Sequence, residues 1–310
     1  MDYLLLIGGF IVLILGGNWL LKAAVGLSLR LNIPKIVIGM TVVSFATSAP
    51  ELIVSLNSAL DGHADIAFGN VIGSNIANLG LVLGVVTIIS TINVEKSFYK
   101  IDWPVMMVAS VIFYLFIAFD GVLQRYEGII LFLLLIVFLV YLLKFQKTAV
   151  ADEMPEDDIP LPVLKALMYL LIGGGGLWLG SELLIEGAVN IAHHFGVSER
   201  IIGVTIISIG TSVPELAASI IAVINKEKAI SLGNLIGSNV FNILAVLGIT
   251  SMITPITVQD PRLLTNDIIW MLVFALIIFP LVFAPVRMKL TWKEGLILLG
   301  GYVVFIALML

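Results

Sequence analysis

The chain has 310 residues, of which 60% are hydrophobic and only 12% are charged, and its mean hydropathy is +1.14. A soluble domain of this length would carry about twice that charged fraction, so the composition excludes an ordinary soluble fold. The absence of cysteine excludes disulfides and thiolate metal sites. The net charge of −5 comes largely from one acidic patch at 152–158 and gives no reason to expect a nucleic-acid partner.

Apolar stretches long enough to cross a bilayer, about 20 residues each, follow one another along the chain. Ten are predicted, at 3–28, 36–60, 66–91, 101–119, 126–145, 162–190, 200–224, 229–254, 266–284 and 294–310. They do not alternate apolar with polar residues as the strands of a transmembrane barrel would. The sequence therefore predicts an all-α polytopic membrane protein with ten transmembrane helices.

Lysine and arginine are distributed unevenly between the loops. Alternate loops hold 13 of the 16 basic residues, and the intervening loops hold only Arg125, Arg200 and Arg262. The positive-inside rule places the basic set in the cytoplasm and both termini outside. Because no targeting signal or regulatory domain is recognisable, we expect a multi-pass protein of a prokaryotic plasma (inner) membrane.

The chain contains two copies of one repeated segment. A shift of 164 residues places "IGMTVVSFATSAPELIVS" over "IGVTIISIGTSVPELAAS", and 21 of 49 positions are identical between 36–84 and 200–248. Five spans separate each position from its copy, and an odd number reverses the direction across the membrane, so the halves are inverted repeats. We expect repeats at 1–145 (helices 1–5) and 162–310 (helices 6–10), joined by an acidic cytoplasmic linker at 146–161.

The second and seventh spans carry polar side chains where the membrane makes them costly. Five polar residues of each copy share one helix face, because they follow one another at i, i+3, i+4, i+7 and i+11. They are Ser44, Thr47, Ser48, Glu51 and Ser55, with the copies Ser208, Thr211, Ser212, Glu215 and Ser219. Pro50 and Pro214 lack a backbone N–H and free the carbonyl four residues earlier, which predicts broken helices 2 and 7.

The third and eighth spans add a second set of oxygen-bearing side chains. These are Asn70, Ser74 and Asn78, with the copies Asn234, Ser238 and Asn242. Bringing the inverted halves together would place Glu51 opposite Glu215, surrounded by Thr, Ser and Asn. Taken singly, a proline is explained by a kink and a hydroxyl by a helix-to-helix hydrogen bond. Intramembrane acids are rare and usually functional, and the duplication of the whole set favours a site.

Hard oxygen donors without Cys or His favour hard cations such as Na⁺, Ca²⁺ or Mg²⁺. Two ionised carboxylates carry a charge of −2, which one Ca²⁺ would neutralise and which several Na⁺ ions or two protons would also offset. A site that must be filled before it can be buried, by one divalent ion or several monovalent ones, indicates an exchanger. No cofactor is expected.

The stretches "TSAPELIVS…GNVIGSNIAN" and "TSVPELAAS…GNLIGSNVFN" resemble the alpha-repeats of the cation/calcium exchanger superfamily, most closely its prokaryotic sodium/calcium exchanger branch. The resemblance implies an antiporter with helices 2, 3, 7 and 8 as its ion-binding core and helices 1 and 6 sliding across it. It also implies three Na⁺ per Ca²⁺. The implied ion ligands are Glu51, Glu215, Thr47, Thr211, Ser48, Ser212, the carbonyls of Ser44 and Ser208, and Ser74, Asn78, Ser238 and Asn242.

Two positions bear on the branch within that superfamily. Calcium/proton exchangers typically carry Gly-Asn before the key Glu, where this chain has Thr47-Ser48 and Thr211-Ser212. Several family members place an Asp where this chain has Asn242. The symmetric pair of amides makes a potassium requirement less expected, and it leaves the fine tuning of sodium and proton affinity open.

Other functions remain as alternatives. The first keeps the fold and exchanges Ca²⁺, or another divalent cation, for H⁺. A channel is a second alternative, because oxygen-lined pores also select cations, although inverted repeats argue against it. An intramembrane enzyme is disfavoured because its usual metal and nucleophile motifs are missing. The expected partners are Ca²⁺, Na⁺ (or H⁺) and the lipid bilayer, with no obligate protein partner.

Overall fold

The computed structural model describes residues 2–145, 161–196 and 210–309. Within those ranges nine helices are long and apolar enough to cross a membrane, and a tenth apolar helix is shorter. The predicted acidic linker falls outside the described residues except for Leu161, and so does the first part of the predicted seventh span. The all-helical membrane fold is confirmed.

The ten helices are named in chain order. They are α1 (Asp2–Leu31), α2 (Lys35–Leu60), α3 (Ala64–Ile89), α4 (Phe98–Asp120), α5 (Arg125–Phe145), α6 (Val163–His194), α7 (Val213–Ile224), α8 (Lys228–Ile253), α9 (Leu263–Phe283) and α10 (Trp292–Met309). In the described connections lie four two-residue strands: β1 (Ile92–Asn93), β2 (Val122–Leu123), β3 (Ile256–Thr257) and β4 (Lys289–Leu290).

The two halves pack against each other reciprocally. Strand β1 pairs with β4 and β2 pairs with β3, both antiparallel, so each half supplies one strand to each pair. The end of α3 packs on α10, and the end of α8 packs on α5 in the same way. This exchange of equivalent contacts is what inverted repeats predict.

Helices α3 and α8 are the most buried, and α2 is next. Their surroundings are protein on most sides, so polar groups on these helices are shielded from lipid. The outer helices α4, α5 and α9 present much of their apolar surface outward, as expected of lipid-facing helices. The centre of the fold is therefore the place where buried acids can be held.

Helices α1 and α6 pack along each other through glycine. A Cβ added at Gly16 would lie 2.7 Å from the backbone N of Leu177, and one at Gly180 would lie 2.8 Å from the backbone N of Leu13. Small residues let helix backbones approach this closely in membranes. The pair α1–α6 lies against the core mainly through α2 and α7.

The predicted breaks in helices 2 and 7 take different forms. Helix α2 runs through Pro50, and its irregularity is a π-helical turn at Gly39–Val43. Before α7, Thr211 and Ser212 form a turn, which places Pro214 in the first turn of α7, where its missing N–H costs little. Further π-helical turns occur at Asn78–Val82 in α3 and Asn242–Leu247 in α8, at matching places in the two halves.

Candidate ion-binding site

Two acids meet at the centre of the fold. Glu51 lies in the middle of α2 and Glu215 in the first turn of α7, and their exposed fractions are 1% and 0%. The two carboxyl groups lie near enough to repel each other, and the hydroxyls of Thr47 and Ser48 lie near the carboxyl group of Glu215. The structure therefore brings together the pair that the repeat predicted.

The hydroxyl groups predicted around the acids form contacts between the two halves of the chain. Thr47 Oγ1 lies 3.3 Å from Ser238 Oγ, and Ser74 Oγ lies 3.5 Å from Thr211 Oγ1. The two contacts are equivalent in the inverted repeat. Each joins the threonine of one motif to the serine on α3 or α8 of the other half. Both halves thus contribute equivalent oxygens to one site.

Several oxygens of this cluster are buried and accept no hydrogen bond from any residue that the structure describes. They are both carboxylate oxygens of Glu51 and of Glu215, Oδ1 of Asn78 and of Asn242, and Oγ of Ser48 and of Ser212. Buried polar atoms almost always have a partner, and leaving one unsatisfied costs about 1–3 kcal/mol. Eight such atoms in one cluster, all oxygens, form a donor set suited to hard cations.

Neither acid is neutralised by a basic side chain within the described part of the chain. The ion pair Lys35–Glu227 and the contact between His194 Nε2 and Asp2 Oδ2 both lie away from this cluster. No group of three or more His, Cys, Asp or Glu side chains that could hold a metal occurs among the described residues. The negative charge at the centre is thus limited to two carboxylates, supplemented by neutral oxygens.

Other predicted residues have hydrogen bonds that hold the helices in place. Ser44 Oγ donates to the backbone oxygens of Gly39 (2.8 Å) and Asn234 (2.9 Å), which ties α2 to α8. The carbonyl of Ser44, predicted as a ligand, accepts a hydrogen bond of 3.3 Å from Thr47 Oγ1. Its copy Ser208 lies outside the described residues, so its place in the site stays a prediction.

The asparagines that begin the second polar set support the acid-bearing helices. Asn70 Nδ2 donates to Ser55 Oγ (2.9 Å) and to the carbonyl of Glu51 (3.2 Å). In the other half, Asn234 Nδ2 donates to Ser219 Oγ (3.1 Å). These bonds fix α2 against α3 and α7 against α8.

Two residues that the sequence analysis did not propose lie beside the predicted ligands. Asn75 and Asn239 are 2% exposed and bond to each other's backbone and to the predicted ligands Asn242 and Asn78. Their signal was present, because "GSN" occurs at 73–75 and again at 237–239 in register. The helical spacing did not single them out, because they do not fall on the i, i+4, i+8 face of Asn70, Ser74 and Asn78.

Most of the chain matches a single protein family. The family model described as "Sodium/calcium exchanger protein" matches residues 1–144 and 165–310. This chain belongs to the sodium/calcium exchanger family. The resemblance inferred from the two repeat motifs is therefore confirmed.

Two prokaryotic relatives of this exchanger match it over nearly their whole lengths. The putative antiporter CaxA of Alkalimonas amylolytica is 37% identical over 95% of this chain and 94% of its own. The sodium/calcium exchanger MaX1 of Methanosarcina acetivorans is 28% identical over 99% of this chain and 98% of its own.

A solved structure matches the fold as well. The sodium-calcium exchanger NCX_Mj, soaked with 2.5 mM Na⁺ and 0.1 mM Ca²⁺, superimposes with a TM-score of 0.83 at 30% identity, covering 99% of this chain and 97% of that one. This exchanger is thus a multi-pass membrane antiporter rather than an enzyme.

Proposed function

We propose that this exchanger moves Ca²⁺ out of the cell against Na⁺ influx, by alternating access at the site of Glu51 and Glu215. The observation that carries this proposal is the neighbouring pair of buried acids, surrounded by oxygens that accept no hydrogen bond from the described residues. Two unit charges 4 Å apart repel by about 4 kcal/mol at an effective dielectric constant of about 20. A cation between them turns this repulsion into attraction.

The proposed ion ligands come from both halves. The acids bind Ca²⁺ and also serve Na⁺. The neutral oxygens that complete the sites come from Thr47, Ser48, Thr211, Ser212, Ser44, Ser208, Ser74, Asn78, Ser238 and Asn242. Oxygen ligands of mixed charge suit Ca²⁺, which takes six to eight of them, and equally suit Na⁺ as a hard cation. One site can thus be used by either ion in turn.

Charge arithmetic makes the proposed exchange electrogenic. With two fixed negative charges, one Ca²⁺ leaves the site neutral and three Na⁺ leave it at +1. Each cycle would then carry one net positive charge in the direction of Na⁺ movement, so the membrane potential drives Ca²⁺ extrusion. With Asn at both 78 and 242, only two carboxylates need neutralising, and no K⁺ is required.

The glycine packing supports the proposed movement. Helices α1 and α6 form one closely packed pair that lies against the core. We propose that this pair slides across α2, α3, α7 and α8 to expose the site to each side. The distribution of basic residues favours both termini outside, in a prokaryotic plasma membrane, and the acidic linker in the cytoplasm.

Reconstituted vesicles test the function. Vesicles loaded with Na⁺ and diluted into Na⁺-free buffer take up ⁴⁵Ca²⁺, and an imposed inside-positive potential accelerates the uptake because net positive charge leaves with Na⁺. Replacing K⁺ by choline at zero potential leaves the rate unchanged. Ca²⁺ entry that ignores the Na⁺ gradient would refute the proposal.

The alternative counter-ion is H⁺. Two protons neutralise two carboxylates as one Ca²⁺ does, so the acid pair alone does not separate the two exchangers. An imposed pH gradient without Na⁺ separates them in the same vesicles. Sodium coupling is the better supported choice, since hydroxyls of Thr and Ser flank both acids and offer neutral oxygens that Na⁺ uses and H⁺ does not need.

A further inference from the structure

Four asparagines join α3 and α8 at the centre of the fold. Asn75 Nδ2 donates to the backbone oxygen of Asn239 at 3.2 Å, and Asn239 Nδ2 donates to the backbone oxygen of Asn75 at 3.3 Å. Asn242 Nδ2 donates to Asn75 Oδ1 at 3.1 Å, and Asn78 Nδ2 donates to Asn239 Oδ1 at 3.2 Å. Each bond has its copy in the other half.

The direction of these bonds is fixed by the backbone. A backbone carbonyl can only accept, so Asn75 and Asn239 must each present the NH₂ group of their amide to it. The same NH₂ groups lie 3.8 Å from the sulfur atoms of Met271 and Met106, which also act as weak acceptors. The amide oxygens of Asn75 and Asn239 therefore face the other way, where they can only accept.

The orientation of the Asn75 and Asn239 amides in turn determines the orientation of the Asn242 and Asn78 amides. Because Oδ1 of Asn75 can only accept, Asn242 must turn its NH₂ group toward it, and Asn78 must do the same toward Asn239. The opposite edge of each amide is then an oxygen. Oδ1 of Asn78 and of Asn242 are among the buried oxygens that accept no hydrogen bond from the described residues.

Asn78 and Asn242, which carry these two oxygens, lie on π-helical turns that pack against the acid-bearing helices. The π-helical turn that begins at Asn242 packs on α2, which carries Glu51, and the one that begins at Asn78 packs on α7, which carries Glu215. Without the first pair of asparagines, either amide would be free to turn its NH₂ group toward the acids. A cation in the site would then meet a donor in place of a ligand.

We propose that Asn75 and Asn239 are positioning residues that hold the amides of Asn242 and Asn78 with their oxygens toward the transported cations. Each positioning residue acts on the ligand of the opposite half, so the two repeats fix each other's ligands. The inference rests on the proposed function, because it assumes that Asn78 and Asn242 are cation ligands.

Calcium titration of the purified full-length exchanger tests the inference. Asn75→Ala removes the acceptor that orients Asn242, and we expect the Kd for Ca²⁺ to rise about five- to tenfold, the effect of one hydrogen bond. Asn239→Ala should do the same through Asn78. Met271→Leu, which keeps the packing but replaces the sulfur beside Asn75, should change the Kd by less than about twofold.

A crossed double-mutant cycle separates orientation from general packing. In an Asn242→Asp background, position 242 presents oxygen in either orientation and has no NH₂ group to donate to Asn75, so adding Asn75→Ala should no longer weaken binding. In an Asn78→Asp background, Asn75→Ala should still weaken binding five- to tenfold, because Asn242 remains an amide. If Asn75→Ala does not fold, Asn75→Ser, too short to reach Asn242, replaces it in the same cycle.

The outcomes distinguish this inference from the proposed function. An equal effect of Asn75→Ala in both Asp backgrounds, or no effect in the unmodified protein, would overturn the positioning role while Ca²⁺ binding by the unmodified protein upholds the site. Failure of the unmodified protein to bind Ca²⁺ would overturn the proposed function together with this inference.

Discussion

Glu51 and Glu215 lie 164 positions apart in the chain, yet their carboxyl groups lie near enough to repel each other at the centre of the fold. Each is contributed by one inverted repeat, and each is fully or almost fully buried. Two like charges in such a place are stable only with compensation, and within the described residues no basic side chain supplies it. A cation bound at the proposed site would offset this repulsion and be held by the same two carboxylates.

Replacing either acid by its neutral isostere should remove Ca²⁺ binding. The unmodified exchanger should gain about 2.7 kcal/mol of stability at a Ca²⁺ concentration one hundred times its Kd. Glu51→Gln and Glu215→Gln should each weaken binding about a hundredfold or more, because a buried charge partner is lost. Thermal unfolding in detergent with and without Ca²⁺ measures this, and a normal Ca²⁺-induced shift in either variant would contradict the assignment.

Glu294 provides the matched control for that pair. It is also fully buried, but its Oε2 accepts hydrogen bonds of 2.6 Å from both N and Oγ1 of Thr291, at the start of α10. This is a helix cap, so Glu294→Gln should lower the free energy of unfolding by about 1 kcal/mol. Its Ca²⁺-induced shift should remain.

The close packing of α1 on α6 predicts opposite effects at two glycines of one helix. A Cβ at Gly173 would lie 2.5 Å from the backbone N of Leu20 and 2.9 Å from the backbone O of Gly16, whereas a Cβ at Gly175 meets no atom within 4 Å. Gly173→Ala should destabilise the exchanger by about 1–3 kcal/mol and slow exchange, because the backbones must separate. Gly175→Ala should be neutral or stabilising by up to about 1 kcal/mol. Urea or thermal unfolding and vesicle uptake compare the two, and equal effects would refute close packing as the cause.

The ion pair between Lys35 and Glu227 joins the start of α2 to the residue before α8. Its N–O distance is 2.8 Å, and the side chains are 14% and 16% exposed. Lys35→Met leaves a largely buried carboxylate unpaired and should destabilise the protein by about 1–3 kcal/mol, between the values for exposed and fully buried pairs.

A double-mutant cycle isolates that ion pair. Adding Glu227→Gln to Lys35→Met should cost less than the sum of the two single changes. Lys96→Met, at an exposed lysine, should stay within about 0.5 kcal/mol of the unmodified protein. Additive losses in the thermal unfolding of the Lys35 and Glu227 variants would show that the pair contributes no coupling.

Hydropathy and the repeat made most of the architecture predictable. Long apolar stretches determine where helices cross a bilayer, and the identical polar positions of the two copies predicted that Glu51 and Glu215 would meet. The apolar stretches are visible in short segments of the sequence, and the repeated polar positions are visible when the chain is aligned with itself. The positive-inside assignment of the termini stays a prediction, since the protein alone does not define the two sides of a membrane.

The reciprocal asparagine bonds were beyond sequence reasoning because they depend on how closely α3 approaches α8. Asn75 lies one residue from Ser74, so helical periodicity places it on a different face of the helix. The π-helical turns at Asn78 and Asn242 do not follow from helical periodicity either, because a π-helical turn departs from the α-helical hydrogen-bond pattern. The difference between Pro50, inside a helix, and Pro214, in a first turn, likewise shows that identical motifs adopt different local structures in the two halves.

Equilibrium binding of ⁴⁵Ca²⁺ to the purified exchanger, titrated with Na⁺, tests most directly whether the paired acids form one site shared by both ions. The predicted result is one Ca²⁺ per chain, displaced by Na⁺ with a Hill coefficient above one, and no specific binding in the Glu51→Gln or Glu215→Gln variant. Calcium binding that Na⁺ does not displace, or that persists in both variants, would contradict the account.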